Sequence, residues 1–205
     1  PSLGRLPAMP GQFCEDGQLQ GLLSLMDIPY IGCDTEVSAV CMNKALTKTA
    51  LAHHRIPMAR HIAVEISSDS DLPALIDRAE SLFPYPMFVK PVRSGSSVGA
   101  GIARSRDELR RALLLAARTD PLVLIEQYIR GREIEVAVLA GDPLTVSRPG
   151  ELRFDSPFYD YDTKYRGSGA EMIIPAVLPK QTESELRRRA ETVFRALRCR
   201  HLARV

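Results

Sequence analysis

Apolar residues recur at helical spacing in several parts of the chain. Leu19, Leu22, Leu23 and Met26 follow an i, i+3, i+4, i+7 pattern, which predicts an amphipathic helix over 18–26. Further helices are predicted over 44–54 and 72–82, and behind two capping-box signals. Those signals are Ser105 with Glu108 and Thr182 with Glu185.

Strand patterns alternate with these helices. The predicted strands cover 58–66, 87–90, 99–103, 122–126, 132–140, 144–147 and 172–175. Several neighbours are joined by short turns, such as the one at Asp142-Pro143, and would therefore pair antiparallel. The pattern favours an α+β fold over a doubly wound parallel sheet.

Composition excludes some classes of partner. The chain has 205 residues with 45% hydrophobic and 25% charged residues, which is enough for a real core in a water-exposed protein. A net charge of +2 gives no basic footprint for nucleic acid. No apolar run reaches membrane-spanning length and no signal peptide opens the chain, so we expect no membrane partner.

The cysteines form no recognisable metal or redox motif. Cys14, Cys33, Cys41 and Cys199 include no C-x-x-C pair, and the histidines form no ligand cluster with them. We therefore predict reduced thiols and no metal ligands within this chain, with a disulfide or a zinc site as the open alternative.

Both ends of the sequence look cut. Residues 1–11 have no helical or strand periodicity, and His201 to Val205 begins an apolar strand pattern and stops. We therefore expect a fragment of a longer protein.

The first candidate for chemistry is the stretch from Phe88 to Gly99. Lys90 comes at the end of an apolar run, and a loop rich in serine and glycine follows within a few residues. Small residues let backbone N–H groups approach an anion, and a lysine adds a point charge for phosphate. The lysine precedes the glycines, so this is not a Walker A loop. An ordinary Gly/Ser hairpin remains the alternative.

Other polar residues sit at the ends of apolar segments. Lys44 could join Lys90 on one polyphosphate, or both lysines could simply extend their heads to solvent. Glu126 ends the run Val123-Leu124-Ile125, and Glu133 follows across Gly131. Backbone N–H and C=O groups of the segment between them, Gln127-Tyr128-Ile129, could hydrogen-bond to the edge of an adenine, and one of the carboxylates could bind ribose hydroxyls. A turn with solvated carboxylates is the alternative.

A long aperiodic segment covers 154–170. Loops of this length without their own secondary structure are usually functional or disordered. Lys164 and Tyr165 lie side by side in it and could close over phosphates. A solvated, tyrosine-rich loop is the alternative.

Taken together, these motifs resemble a known family. In order they are Cys-Met-Asn-Lys ending at Lys44, Phe-Val-Lys-Pro, Gly-Ser-Ser-Val-Gly, Ile-Glu-Gln-Tyr-Ile with Gly-Arg-Glu, Phe-Tyr-Asp-Tyr-Asp-Thr-Lys-Tyr and Leu-Ala-Arg-Val. The chain from about Cys14 to Val205 is similar to the D-alanine–D-alanine ligases, which are ATP-grasp enzymes.

The resemblance implies an architecture. Two antiparallel-rich α+β subdomains would grip ATP, preceded by the tail of an α/β amino-terminal domain. Residues 1–33 would end that amino-terminal substrate domain, 34–120 would form the central ATP-grasp subdomain, and 121–205 an incomplete carboxy-terminal one.

The resemblance also implies an ATP site. Lys44, Lys90 and Lys164 would hold the phosphates under the Ser96-Ser97 loop. Glu126 and the backbone from Gln127 to Ile129 would take the adenine, Phe158 would stack near it, and Glu133 would bind the ribose.

The implied reaction joins two D-alanines through an acyl phosphate for peptidoglycan synthesis. Glu15, Ser96 and Tyr165 would surround the first D-alanine, and Arg204 would stabilise the tetrahedral transition state. Tyr165 favours a D-alanine acceptor over D-lactate. Related ligases making D-Ala-D-lactate or D-Ala-D-Ser, and a non-catalytic nucleotide-binding remnant, are the alternatives.

Two departures limit the implied activity. The family's Mg²⁺ ligands would begin beyond Val205, and Pro10 to Cys14 replace the family's His-Gly and glycine before Glu15. The isolated chain is therefore expected to be inactive or nearly so. The resemblance further implies a cytoplasmic homodimer.

Overall fold

A computed structural model describes residues 13–154 and 170–205, with the backbone alone for Phe154 and Ala170. The helices in this part of the chain are α1 (Gln18–Leu25), α2 (Thr35–Met42), α3 (Lys44–Ala52), α4 (Leu72–Leu82), α5 (Arg106–Ala117) and α6 (Lys180–Ala196). The strands are β1 (His61–Glu65), β2 (Met87–Pro91), β3 (Gly101–Ala103), β4 (Leu122–Gln127), β5 (Glu133–Glu135), β6 (Ala137–Leu139), β7 (Thr145–Val146), β8 (Gly150–Phe154), β9 (Ala170–Ile173) and β10 (Leu202–Arg204).

The largest sheet has four antiparallel strands in the order β1-β4-β2-β3. The predicted hairpin of β2 and β3 is confirmed, with Met87 opposite Ala103. One face of the sheet packs against α4 and α5 through a core that includes Leu72, Met87, Leu109 and Ile125. The opposite face of this sheet is not covered by α4 and α5, so its side chains are available to line a binding site.

The stretch predicted as one strand over 132–140 is two strands in two sheets. β5 pairs with β8 in the sheet β5-β8-β9, whereas β6 pairs with β10 and β7. Val136 lies between them and exchanges both backbone hydrogen bonds with Val205, at 2.7 and 2.8 Å. The alternation continues unbroken across Val136, so it could not reveal the change of partners.

One predicted capping box is found in its N-cap half only, because the Glu108 carboxylate accepts from the Arg104 N–H and not from that of Ser105, and the other box is wrong. The Ser105 side chain accepts a hydrogen bond from the Glu108 N–H at the start of α5. By contrast, α6 begins at Lys180, and the Glu183 N–H donates to the Pro179 carbonyl at 3.0 Å. Thr182 therefore lies inside the first turn, because Pro179 already starts the helix with its fixed φ.

The helices α2 and α3 pack against each other, and α3 also contacts α6. β4 pairs with β1 and β2, so the predicted domain boundary after residue 120 falls just before a strand of the four-stranded sheet. The division into domains stays a prediction. In the described part of the chain, no helix combines the length and apolarity needed to cross a membrane.

Candidate active site

A cavity of about 1080 Å³ lies between the four-stranded sheet and the sheet β5-β8-β9. Its lining includes residues from β2, β4, β5 and β8, the loop between β2 and β3, and the segment that joins β4 to β5. Eight of the residues predicted to bind ATP line it: Lys44, Lys90, Ser96, Ser97, Glu126, Gln127, Ile129 and Glu133.

Strand alternation decides which side chains reach the cavity. On β2, Met87 and Val89 are buried in the core, so Phe88 and Lys90 point to the opposite face. On β4, Ile125 belongs to the core, and Glu126 faces the same side as Phe88, its partner in register. The Lys90 ammonium lies 5.7 Å from the centre of the Phe88 ring. An aromatic and two charges therefore share one wall.

Glu126 is a buried carboxylate held by two lysines. Lys90 Nζ lies 2.7 Å from Glu126 Oε2, and Lys48 Nζ lies 2.9 Å from Oε1. Burial raises the pKa of Glu126, but the two ammonium groups outweigh it and hold the pKa below its usual range. Each carboxylate oxygen thus has one ammonium partner and keeps a further lone pair. The carboxylate is therefore ionised and can accept a further donor.

Lys48, which the sequence motifs did not single out, supports the site through its ion pair with Glu126 and is not itself among the residues that line the cavity. It follows Lys44 by four residues on α3, so both lysines lie on one face of that helix. Its ammonium also donates to the Ala59 carbonyl at 3.4 Å. The i, i+4 repeat of lysine was a signal that could have revealed it.

Lys44 holds the loop that follows β2. Its ammonium donates to the carbonyls of Pro91, at 3.3 Å, and of Val92, at 3.2 Å, and to that of Ser94. Its backbone N–H also donates to the Val92 carbonyl. The lysine thus joins the start of α3 to the start of the loop, at the edge of the cavity.

The loop itself has an unusual backbone. Ser96 and Ser97 both have positive φ, 51° and 59°, and Gly99 follows at 73°. Two consecutive non-glycine residues in this region are strained and turn backbone groups toward one side. A side chain at Gly95 would begin 3.9 Å from Glu15 Oε2, so Glu15 lies against this loop. The structure therefore brings Glu15 and the Ser96 segment together.

The segment from Tyr128 to Arg132 crosses between the two sheets without strand pairing and lines the cavity. Gln127 is anchored by its N–H, which donates to the Arg60 carbonyl at 2.9 Å. At the far end, the Arg132 guanidinium binds both oxygens of buried Glu151, at 2.8 and 2.6 Å. These hydrogen bonds lower the pKa of Glu151. The segment is thus fixed at both ends.

Arg204 is not among the residues that line the cavity. It lies on β10, where its Nη1 is 3.4 Å from Glu135 Oε2, and its side chain is mostly exposed. Phe158, Lys164 and Tyr165, also predicted as site residues, lie outside the described residues. Within the described ranges, no group of three or more His, Cys, Asp or Glu residues could hold a metal ion.

Comparison with known proteins agrees with the architecture. The family model "D-ala D-ala ligase C-terminus" matches residues 51–205. The D-alanine–D-alanine ligase of Caldicellulosiruptor bescii is 44% identical over 202 residues, which are 97% of this chain and 55% of that protein. The chain spans about half the length of the curated relatives it matches.

Solved structures carry the same fold. The VanG D-Ala:D-Ser ligase from Enterococcus faecalis has a TM-score of 0.86 at 34% identity, over 98% of this chain and 57% of that one. The D-alanine–D-alanine ligase from Coxiella burnetii has a TM-score of 0.79 at 32% identity, over 98% and 52%. The α+β fold is thus the ATP-grasp fold expected from the sequence motifs. With three quarters of its length matched by that family model, the chain belongs to the D-alanine–D-alanine ligase family.

Proposed function

We propose that the protein carrying this chain joins two D-alanines to D-alanyl-D-alanine, using ATP, for peptidoglycan biosynthesis. The observation that carries the proposal is the cavity between the two sheets, where Lys90, Glu126 and the Ser96-Ser97 loop meet. Membership of the ligase family supports the reaction class.

The nucleotide would lie along the cavity with its adenine near β4. Glu126 Oε1 lies 2.9 Å from Lys48 Nζ, and a carboxylate oxygen has a second lone pair that could accept a hydrogen bond from the exocyclic amine of adenine. The carboxylate of Glu133 would accept hydrogen bonds from the ribose hydroxyls, and the backbone from Gln127 to Ile129 would meet the purine edge. Phe158 would stack on the adenine.

The phosphates would lie toward the loop after β2. An ammonium group has three N–H donors, so Lys90 can donate to a phosphate oxygen while it keeps its ion pair with Glu126. Lys44 now binds loop carbonyls, and its role toward phosphate would require exchanging one of them for a phosphate oxygen. Lys164 would add a third cation, and Ser96 and Ser97 would cover the phosphates.

Two bond changes complete the reaction. A carboxylate oxygen of the first D-alanine takes the γ-phosphoryl group, which gives an acyl phosphate and ADP. The amine of the second D-alanine then attacks the carbonyl carbon, phosphate leaves, and the amine loses a proton. Glu15, Ser96 and Tyr165 would orient the first D-alanine, and Arg204 would face the tetrahedral oxyanion.

Mg²⁺ would neutralise phosphate charge in such a reaction. The described residues do not form a site for it, and we assign no step in this chain to the metal. We expect its ligands beyond Val205. The reaction would take place in the cytoplasm, in a homodimer that sedimentation of the full-length protein would test.

The decisive experiment measures phosphate release from ATP by the full-length protein with each candidate amino acid. D-Alanine should stimulate release, and L-alanine, D-serine and D-lactate should do so far less. Replacing Lys90 by Ala should lower kcat/KM by about a hundredfold, because a charge-assisted contact to the transferred group is lost.

The matched control is Lys180→Ala, which removes an exposed lysine at the start of α6 and should leave release unchanged. Release driven equally well by D-serine would move the acceptor to that amino acid. ATP binding with no stimulated release by any of these compounds would overturn the ligase proposal and favour a nucleotide-binding remnant.

A further inference from the structure

Three cysteines, two of them near α2 and one far away in the sequence, lie together and are not among the residues that line the nucleotide cavity. Cys33 precedes α2, Cys41 lies in the last turn of α2, and Cys199 follows α6. The Cys199 thiol is close enough to the thiols of Cys33 and Cys41 for thiol–thiol hydrogen bonding to shift the pKa values of all three. All are free thiols.

Backbone contacts hold Cys33 against the segment that carries Cys199. Cys33 Sγ accepts a hydrogen bond from the Arg200 N–H at 3.4 Å and lies 3.6 Å from the Arg200 carbonyl oxygen. Cys33 and Cys199 are both partly exposed. The contacts to Arg200 thus hold Cys33 beside the residue that follows Cys199, and a disulfide requires such close approach of two chain segments.

The environment of Cys33 favours its thiolate. The hydrogen bond from Cys199 is the largest influence and, with the Arg200 N–H and the nearby His201, lowers the pKa of Cys33 to about 6. Burial and Asp34 act in the opposite direction. The same hydrogen bonds raise the pKa of Cys199, which keeps its proton. One thiol is thus a nucleophile and its neighbour a proton donor.

A second cavity lies beside this cluster. It has a volume of about 530 Å³, and its lining includes Gly32, the neighbour of Cys33, and Arg200, the neighbour of Cys199. The described residues that line it are all different from those that line the nucleotide cavity. Cys33 is itself partly exposed, so a small oxidant does not have to enter the nucleotide cavity to reach it.

We propose that Cys33 and Cys199 form an oxidant-sensitive dithiol, in which the Cys33 thiolate attacks a hydroperoxide and Cys199 resolves the resulting sulfenic acid into a disulfide. The Cys33 thiolate takes one oxygen from hydrogen peroxide, giving sulfenic acid and, with one proton, water. The Cys199 sulfur then displaces the hydroxyl of that sulfenic acid. Its own proton leaves with the hydroxyl as a second water, and the S–S bond joins the segment before α2 to the start of β10.

The test is a peptide map of the full-length protein after brief treatment with hydrogen peroxide. Cleavage after glutamate places the cysteines in separate peptides, with Cys33 in 16–36, Cys41 in 37–65 and Cys199 in the peptide that begins at Thr192. We expect a disulfide-linked pair of 16–36 with the peptide that begins at Thr192, the loss of about two free thiols per chain, and full reversal by dithiothreitol. This readout does not depend on ligase activity and needs no variant to fold.

Two variants test the order of the steps. In Cys199→Ser, the sulfenic acid on Cys33 lacks the resolving thiol of Cys199 and should be labelled by dimedone more strongly than in the parent. Cys14→Ser, which removes a cysteine outside the cluster, should leave the crosslink unchanged. A map in which 16–36 pairs mainly with 37–65, or in which peroxide labels Cys14 as readily as Cys33, would overturn the proposal.

Discussion

At the scale of single residues, the central group is the carboxylate of Glu126. It is almost fully buried, and two ammonium groups from different elements lie against its two oxygens. A buried charge is retained in a fold when it is paired, and loss of one partner is costly. Lys90 comes from the neighbouring strand, whereas Lys48 comes from α3, so the carboxylate also links that helix to the sheet.

We expect Lys48→Met to weaken ATP binding without affecting the chemical step as strongly. Methionine keeps much of the side-chain volume but leaves Glu126 with Lys90 alone, which should shift the position of both. The dissociation constant for ATP should rise about tenfold, equivalent to about 1.4 kcal/mol, measured by isothermal titration of the full-length protein. Lys180→Met is the matched control. An unchanged dissociation constant in Lys48→Met would show that the lysine serves stability alone.

At the scale of elements, most local signals, though not the capping box at Thr182, predicted the structure correctly, whereas the change of strand partners was not predicted. The hairpin of β2 and β3, the Ser105 cap and the first turn of α4 each depend on a few adjacent residues, and the sequence predicted all three. The division of 132–140 between two sheets depends on pairing with Val205 and β8, far away in sequence. The alternation of apolar and polar residues indicates which side chains are buried, but it does not indicate which strand each residue pairs with.

Alanine substitutions at the two predicted caps should change the free energy of unfolding by different amounts. Ser105→Ala removes the acceptor for the Glu108 N–H and should lower the free energy of unfolding by about 1 kcal/mol. Thr182→Ala should change it by less than about 0.5 kcal/mol, because Thr182 is an internal helical residue where alanine is preferred. Urea titrations of both variants check this. A larger loss for Thr182→Ala than for Ser105→Ala would contradict the assigned start of α6.

At the scale of the whole molecule, the site is made by the meeting of two sheets. The face of β2 and β4 was predictable in part, since alternation marks Lys90 and Glu126 as different from their neighbours. The opposite wall, from β5 and β8, was not, because no local pattern fixes how one sheet is placed against another. The cysteine cluster was hidden for the same reason, since it joins the ends of α2 to the turn after α6.

Global stability should fall in acid partly through Asp120. Burial raises its pKa, but hydrogen bonds from the Arg93 guanidinium and from the N–H groups of Leu122 and Arg93 outweigh it, so the pKa is lowered. A carboxylate with a lowered folded-state pKa stabilises the fold above its unfolded pKa of about 3.9. That contribution is lost as the pH falls through the lower folded value.

Asp120→Asn should therefore lower the free energy of unfolding by about 2 kcal/mol at pH 7. It should also flatten the decline in stability below about pH 4. Urea unfolding of both proteins at pH 7 and at several acidic values measures the two effects. Asp69→Asn, which alters an exposed carboxylate, is the control and should leave both nearly unchanged. Parallel acid profiles for Asp120→Asn and the parent would contradict this role.

The register of β2 against β4 has a further consequence for how the chain folds. Phe88 stands opposite Glu126, with Lys90 two residues further along the same face. A slip of either strand by one residue would turn its whole set of side chains to the other side. Lys90 or Glu126 would then enter the core that now holds Val89 and Ile125. Such a misaligned sheet would bury an unpaired charge at a penalty of several kcal/mol, so the charges that shape the cavity also select against the wrong pairing during folding.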